Sequence, residues 1–397
     1  MSTKAEKRGL PAWHLFFLLV PFLLLSCQPA DNDQHNEEGR AAKSDELCYA
    51  NYFSITRHAG YTVLDVHALK DNDLCAEQTY LLVLKGEPVP DFPKPATIVR
   101  TPVDNVTCQS GFQVRLLDML DCFDAISGVA SKQSVGQDKV HDMIDRGELV
   151  EIGPPGRMNR EKLLELAPEV AFVHGAGRSA TFYEDMKRMN VMPVDFCSFR
   201  EEHPLAVLEW IKFAAAFFDR DSLATAIFNQ REKEYLDLLE RIRINEEARP
   251  KVIAGYSSNG SWSTMGSTWW FGSVVKDAGA QYVLDPRQME RGFLLSSEVA
   301  FEEGMNADFW LNTHTYAQDL DHLLSYDARY AHFPSVQNWQ VFNNNARCYA
   351  NGKTRFWDEG ITRPDAILAD LVSIFHPEIL PDHSPVYYHQ LLPREAQ

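Results

Sequence analysis

The chain has 397 residues, 45% of them hydrophobic, enough for two ordinary domains with separate cores. Its 38 basic residues stand against 56 acidic ones, a formal net charge of −18. That balance argues against nucleic acid, because phosphate binding needs a basic face.

The N-terminus reads as an export signal. Lys4, Lys7 and Arg8 form a basic head, and WHLFFLLVPFLLL is an apolar run too short to span a bilayer comfortably. Ser26 directly before Cys27 resembles the lipobox of bacterial lipoproteins, in which the lipidated cysteine becomes residue one. Residues 1–26 are therefore expected to be a signal peptide and Cys27 the lipidation site, with a plain secretory signal as the alternative. Either places the mature protein outside the cytoplasm, and the lipobox anchors it by lipid in the cell envelope. Residues 27–47 are polar, acidic and aperiodic, a flexible tether. Export permits disulfides among Cys48, Cys75, Cys108, Cys122, Cys197 and Cys348; Cys48 with Cys75 is one option, and the pairing stays open. No CxxC or Cys/His zinc spacing occurs.

Residues 48–95 carry short alternating runs around a turn at His58–Gly60, predicting a small β-rich appendage. From 96 to 202 strands alternate with helices, the grammar of a mostly parallel sheet covered on both faces. Residues 203–248 form a helical linker with apolar residues at helical spacing, closed by Pro250. Residues 249–397 restart the α/β pattern. The fold class is thus α/β, two Rossmann-like lobes bridged by a long helix, and so stiff a joint limits lobe closure.

Two stretches share one grammar. MNREKLLELAPEVAFV opens a helix with Glu161 and runs into a strand, and SSEVAFEEGMNADFWLN does the same with Glu298. The second copy has two more residues between its glutamate and Asp308 than the first has before Glu169. An acid at a helix start is favoured by the macrodipole by about 0.3–1 kcal/mol, which suffices for a lone glutamate. A matched pair suggests a role.

The order of PVDNVTCQSGFQVRLLDMLDCFDAISGV, the two stretches above and KVIAGYSSNGSW resembles the substrate-binding components of ABC importers for ferric siderophores, cobalamin and haem. NNNARCYANGKTRFWDEGITRPDAILADLVSIFHPEILPDH looks like a lipoprotein subgroup of that family. The resemblance runs from Tyr49 to the C-terminus. It implies a ligand cleft between the lobes, no covalently bound cofactor, a monomer, and no enzymatic activity. It also implies that Glu161 and Glu298 dock on arginines of the permease, with a salt-dependent encounter.

Cleft loops leave the C-terminal ends of parallel strands. That rule nominates Gln109, Ser110, His174, Arg178 and Arg200 on the first lobe. On the second it nominates Trp262, Met265, Trp269, Arg347, Tyr349, Arg355 and Trp357. Aromatic faces suit a macrocycle or catecholate, and arginines suit anionic groups. Trp262 leads because Gly260 and Ser261 set it in a loop, whereas of Trp269 and Trp270 one is expected inside. His174, His314 or Tyr349 would ligate a haem iron. Two other readings compete. Gly175-x-Gly177-x-x-Ala180 after a strand, with Asp195 on the next, mimics the fingerprint of a dinucleotide-binding oxidoreductase. A surface capture lipoprotein would keep the lobes and lack a permease. No GxSxG, HExxH or Walker loop occurs.

Overall fold

The computed structural model describes residues 43–44, 47–67, 77–154, 157–174, 185–243, 248–284 and 294–396. The signal peptide, Cys27, Cys75 and the Gly175–Ala180 motif lie outside these residues. No helix of the described residues is long and apolar enough to cross a membrane.

The first sheet has five strands in the order Lys43–Ser44, Phe53–His58, Tyr61–Val66, Gln78–Leu84 and Thr97–Thr101. His58 pairs with Tyr61 across a two-residue turn in which Gly60 takes φ +83°, the left-handed region that favours glycine. The last strand runs parallel to Gln78–Leu84. Thr97–Thr101 therefore completes the appendage sheet, although its sequence reads as the opening of the first lobe. The sheet is fixed to the rest of the chain through its apolar side. Phe53 sits 4.8 Å from the Trp210 ring and 5.4 Å from Phe213. The buried Asp195 N–H donates to the Tyr80 hydroxyl at 3.1 Å.

Each lobe is built on one sheet. The N-lobe order is Met192–Phe196, Val170–His174, Val106–Cys108, Ile126–Val129 and Val150–Glu151, all parallel. The C-lobe order is Gln281–Tyr282, Lys251–Ala254, Phe309–Leu311, Val341–Asn343 and His389–Gln390, parallel except for the last. The repeated grammar occupies equivalent places. The helix bearing Glu161, Arg160–Leu166, leads into the strand that pairs with the N-lobe's first strand. The helix bearing Glu298, Ser297–Gly304, leads into the strand that pairs with Lys251–Ala254. The acids that close the two stretches also match. Glu169 Oε1 accepts the Asp104 N–H at 3.1 Å, and Asp308 Oδ2 accepts the Lys251 N–H at 2.8 Å. Each carboxylate thus ties its strand to the chain entering the neighbouring first strand.

The bridge is two helices, Pro204–Ala215 and Asp221–Leu239, separated by a turn with Asp219 at φ +54°. All residues of the first except Lys212 are buried, as its nearly continuous apolar sequence requires. Two fully buried carboxylates belong to this region, Glu201 and Glu209. Glu209 accepts the backbone N–H groups of Cys48, Tyr49 and Ala50 at 3.1, 2.9 and 2.8 Å, with Lys212 Nζ at 2.7 Å. Glu201 accepts from Asn51 at 3.1 Å, from Tyr52 at 3.4 Å and from the Trp210 indole at 2.9 Å. Five successive amides of the N-terminal segment thus close on two side chains.

Burial raises the Glu201 pKa from its ordinary 4.5 to about 7, against the hydrogen bonds that favour the anion. Between those values the folded chain holds a proton that the unfolded chain has released. Stability present below the lower value is accordingly lost as pH rises through the upper one. Thermal melts at about pH 5 and about pH 8 are expected to show this fall, and Glu201→Gln to reduce it by roughly 2 kcal/mol. An unchanged pH profile in the variant would contradict the assignment.

Candidate functional site

A cavity of about 370 Å³ opens at the C-terminal ends of the C-lobe strands. Ala254 ends the strand Lys251–Ala254 and Gly255 and Tyr256 follow it, Asn312, Thr313 and Thr315 follow Phe309–Leu311, and Asn344 follows Val341–Asn343. Met265, Thr264, Phe271 and Trp357 complete the wall, and no lining residue carries a charge. At Gly255, φ +98°, a Cβ would fall 2.1 Å from the Ser263 carbonyl, so only glycine lets the hairpin approach this strand. The Thr313 hydroxyl is buried there without a hydrogen-bond partner. Such a group costs about 1–3 kcal/mol while it stays unpaired.

Of the nominated residues, Met265 and Trp357 meet in this wall. Arg200 ends the 3-10 turn Ser198–Arg200 beyond the N-lobe edge strand, and its guanidinium lies 5.3 Å from the Trp269 ring of the C-lobe. Burial lowers the Arg200 pKa. This cation–π pair spans the lobe junction. Trp270 is the interior member of the tryptophan pair, and its N–H donates to the Glu201 carbonyl at 3.3 Å. On the N-lobe, Gln109 is buried and its amide reaches Met158 Sδ at 3.0 Å. Ser110 caps the helix Gly111–Met119 in a capping box with Gln113. Arg178 and the His174 side chain lie outside the described residues.

Trp262 is a correction. It occupies a strand, Ser261–Ser263, hairpinned to Tyr256–Ser258 through Asn259 and Gly260, both at positive φ. Alternation turns Trp262 inward between two serines, and it is 0% exposed. Its indole donates to the Ala254 carbonyl at 2.8 Å, and its ring packs 5.8 Å from Trp310. A side chain so enclosed supports the cavity wall and cannot line it. His314 is likewise withdrawn. Its ring is stacked 3.9 Å from Tyr326 and 4.5 Å from Tyr256, its Nε2 is buried, and desolvation lowers its pKa to about 4.

Arg347, Tyr349 and Arg355 are also placed differently from the sequence expectation. They belong to a C-lobe loop laid across the N-lobe, here termed the clasp. The Ala350 N–H donates to Asp138 Oδ1 at 2.8 Å, Arg355 reaches Asp138 Oδ2 at 3.6 Å, and Lys353 Nζ donates to the Gln133 carbonyl. The Tyr349 ring covers Gly136, where a Cβ would fall 2.7 Å from its Cδ2, and carries the Arg355 guanidinium at 4.6 Å. The Tyr349 hydroxyl donates to Asp358 at 2.9 Å, and Arg347 pairs with Glu359 at 2.8 Å. Of the three, Arg355 carries the polar link to the N-lobe, while the Tyr349 hydroxyl and Arg347 are held by carboxylates of the C-lobe. Burial raises the Asp358 pKa to about 6, adding a pH dependence of the same sign as that of Glu201.

Glu161 and Glu298 are both exposed in the first turns of their helices. The first helix is capped by Asn159, whose side chain accepts from the Lys162 N–H at 3.1 Å. Glu298 accepts the Ser296 hydroxyl, which lowers its pKa. Among the described residues no group of three or more His, Cys, Asp and Glu could hold a metal ion. Cys197 is disulfide-bonded.

Residues 106–347 match the family model of the periplasmic binding proteins. The chain belongs to the periplasmic binding protein family. Its class of function is therefore solute binding for an ABC transporter. An uncharacterized lipoprotein of Methanocaldococcus jannaschii is 21% identical over 76% of this chain and 73% of its own. Among solved structures, the molybdate periplasmic binding protein MolA of Haemophilus influenzae superposes with a TM-score of 0.54 at 16% identity, covering 70% of this chain and 88% of its own. A periplasmic heme binding protein of Pseudomonas aeruginosa gives 0.52 at 14%, covering 72% and 98%. These likenesses establish the fold.

In this periplasmic binding protein the clasp is a second attachment between the lobes, and Tyr349 is its centre. Tyr349→Ala removes the ring from Gly136 and Arg355 together. Limited trypsin digestion is expected to cut at Arg347, Lys353 or Arg355 at least ~10-fold faster in the variant, while the melting temperature of the lobes changes little. Equal cleavage rates would show that the clasp stands without its tyrosine.

Proposed function

We propose that the chain captures a metal chelate, a ferric siderophore or the related cobalamin or haem, and delivers it to an ABC permease. The observation that carries this reading is the uncharged wall of the C-lobe cavity, with aromatic, hydroxyl and amide groups. A chelate brings its own metal ligands, so it needs from the protein only flat faces, a few hydrogen bonds and a cation for its anionic rim. Trp357 and Tyr256 supply faces, Thr313 a free hydroxyl, and Arg200 the cation at the junction. Incubation with ferric siderophores, cobalamin and haem, followed by native mass spectrometry and absorbance, distinguishes the candidates by iron-complex, corrin or Soret bands. One of them is expected to co-purify at one per chain, and Trp357→Ala to weaken it about 10-fold. Retention of none would overturn the reading.

In this reading Cys27 carries the lipid, the chain acts as a monomer in the cell envelope, and Glu161 and Glu298 meet arginines of the permease. Their equivalent positions on two pseudo-symmetric lobes support a shared task. Exposed acids contribute to encounter and register more than to raw affinity. Reversing both charges, Glu161→Lys with Glu298→Lys, is expected to abolish uptake and leave ligand affinity unchanged. Normal transport by that double variant would refute the docking role.

A further inference from the structure

At the opposite ends of the C-lobe strands from the ligand cavity lies a second, open groove. Two adjoining hollows of about 430 and 390 Å³ share Arg249 and Lys276 in their walls. Arg243 lines the first, after the helix Asp221–Leu239, and Arg249 stands two residues before the strand Lys251–Ala254. Lys276 projects from the last turn of the helix Trp270–Asp277. Three cations thus converge on a chain of net charge −18. Among the described residues none of them pairs with a carboxylate, whereas cations elsewhere, such as Arg57, Lys85 and Arg363, do.

Arg249 is the informative member. Its Nε is buried without a hydrogen-bond partner, a donor already desolvated and pointing nowhere useful for folding. The negative end of the helix accounts for a lysine at Lys276 but not for Arg249, which is on no helix. Asp277 also borders the groove, but its Oδ2 takes the Tyr235 hydroxyl at 2.5 Å and lies 3.5 Å from His203 Nε2. That carboxylate is directed towards the bridge helices. A guanidinium fork beside an ammonium matches an anion with several oxygens on one centre.

We propose that Arg243, Arg249 and Lys276 form a binding site for a small oxyanion of the phosphate type. The anion's oxygens take the Arg249 fork and the Lys276 ammonium, and Arg243 closes the open side. The same chemistry is available from a free phosphate compound or from a phosphate-bearing lipid headgroup.

Isothermal titration of the full chain in neutral detergent, in anion-free buffer, tests this with inorganic phosphate and pyrophosphate. Vesicles of phosphatidylglycerol, with phosphatidylcholine alone as the control, test the headgroup. Pyrophosphate is expected to bind and to weaken at least ~10-fold in Arg249→Gln and in Lys276→Gln. Lys276 is exposed, so its variant reports on the site even where Arg249→Gln is poorly folded. Binding to phosphatidylglycerol vesicles that pyrophosphate displaces would assign the same site to a headgroup. No heat with any probe up to ~10 mM, or affinity unchanged in Lys276→Gln, would overturn the proposal.

Discussion

The structure depends on two carboxylates that have no contact with water. Glu201 and Glu209 lie where the N-lobe ends and the bridge begins, and an unpaired charge there would cost several kcal/mol. Five consecutive backbone amides, an indole and one lysine satisfy them. The dependence is mutual. Among the described residues, the segment from Cys48 to Tyr52 has no sheet partner for those N–H groups, and the carboxylates have no further donors. Its path is fixed as firmly as that of a strand, and the appendage sheet that follows inherits its orientation from it. The Glu201 carbonyl receives the Trp270 N–H from the C-lobe, so appendage, bridge and both lobes meet within one residue.

From that junction the chemistry of the cleft follows. Arg200 precedes Glu201 and Trp269 precedes Trp270, so the contacts that hold the joint also set a cation against an aromatic ring at the lobe boundary. The wall beyond it is neutral. A charge placed among Tyr256, Thr264, Thr313, Asn312 and Asn344 would need full compensation, whereas amides and hydroxyls adapt to a polar guest at little desolvation cost. The cavity wall thus offers hydrogen bonds without charge, and the cation–π pair stands apart from it at the lobe junction.

Much of this was legible in the sequence. The α/β alternation, the two-residue turn before Tyr61 and the repeated helix-strand grammar were readable because each rests on local periodicity. The repeat was deeper than its glutamates, since Glu169 and Asp308 also perform one backbone-bonding task in both lobes. The site was less legible. The rule of strand ends leads to the loops that wall the cavity, but small neutral residues such as Thr313, Asn312 and Asn344 carry no signal of their own in a sequence. Trp262 lies inside because Asn259-Gly260 makes a hairpin turn, and the alternation of the strand that follows points its side chain inward. Tyr349 and Arg355 meet Gly136 and Asp138, which lie more than two hundred residues earlier. No local pattern records a contact of that separation.

The clasp changes what the lobes are free to do. A body of two parts joined at one place swings in any direction that its joint allows. Joined at two separate places, the parts keep a single rotation, about the line through both attachments. The bridge is one such place, and the loop from Arg347 to Asp358 is the other. Two attachments leave the lobes fewer relative motions than the bridge alone would.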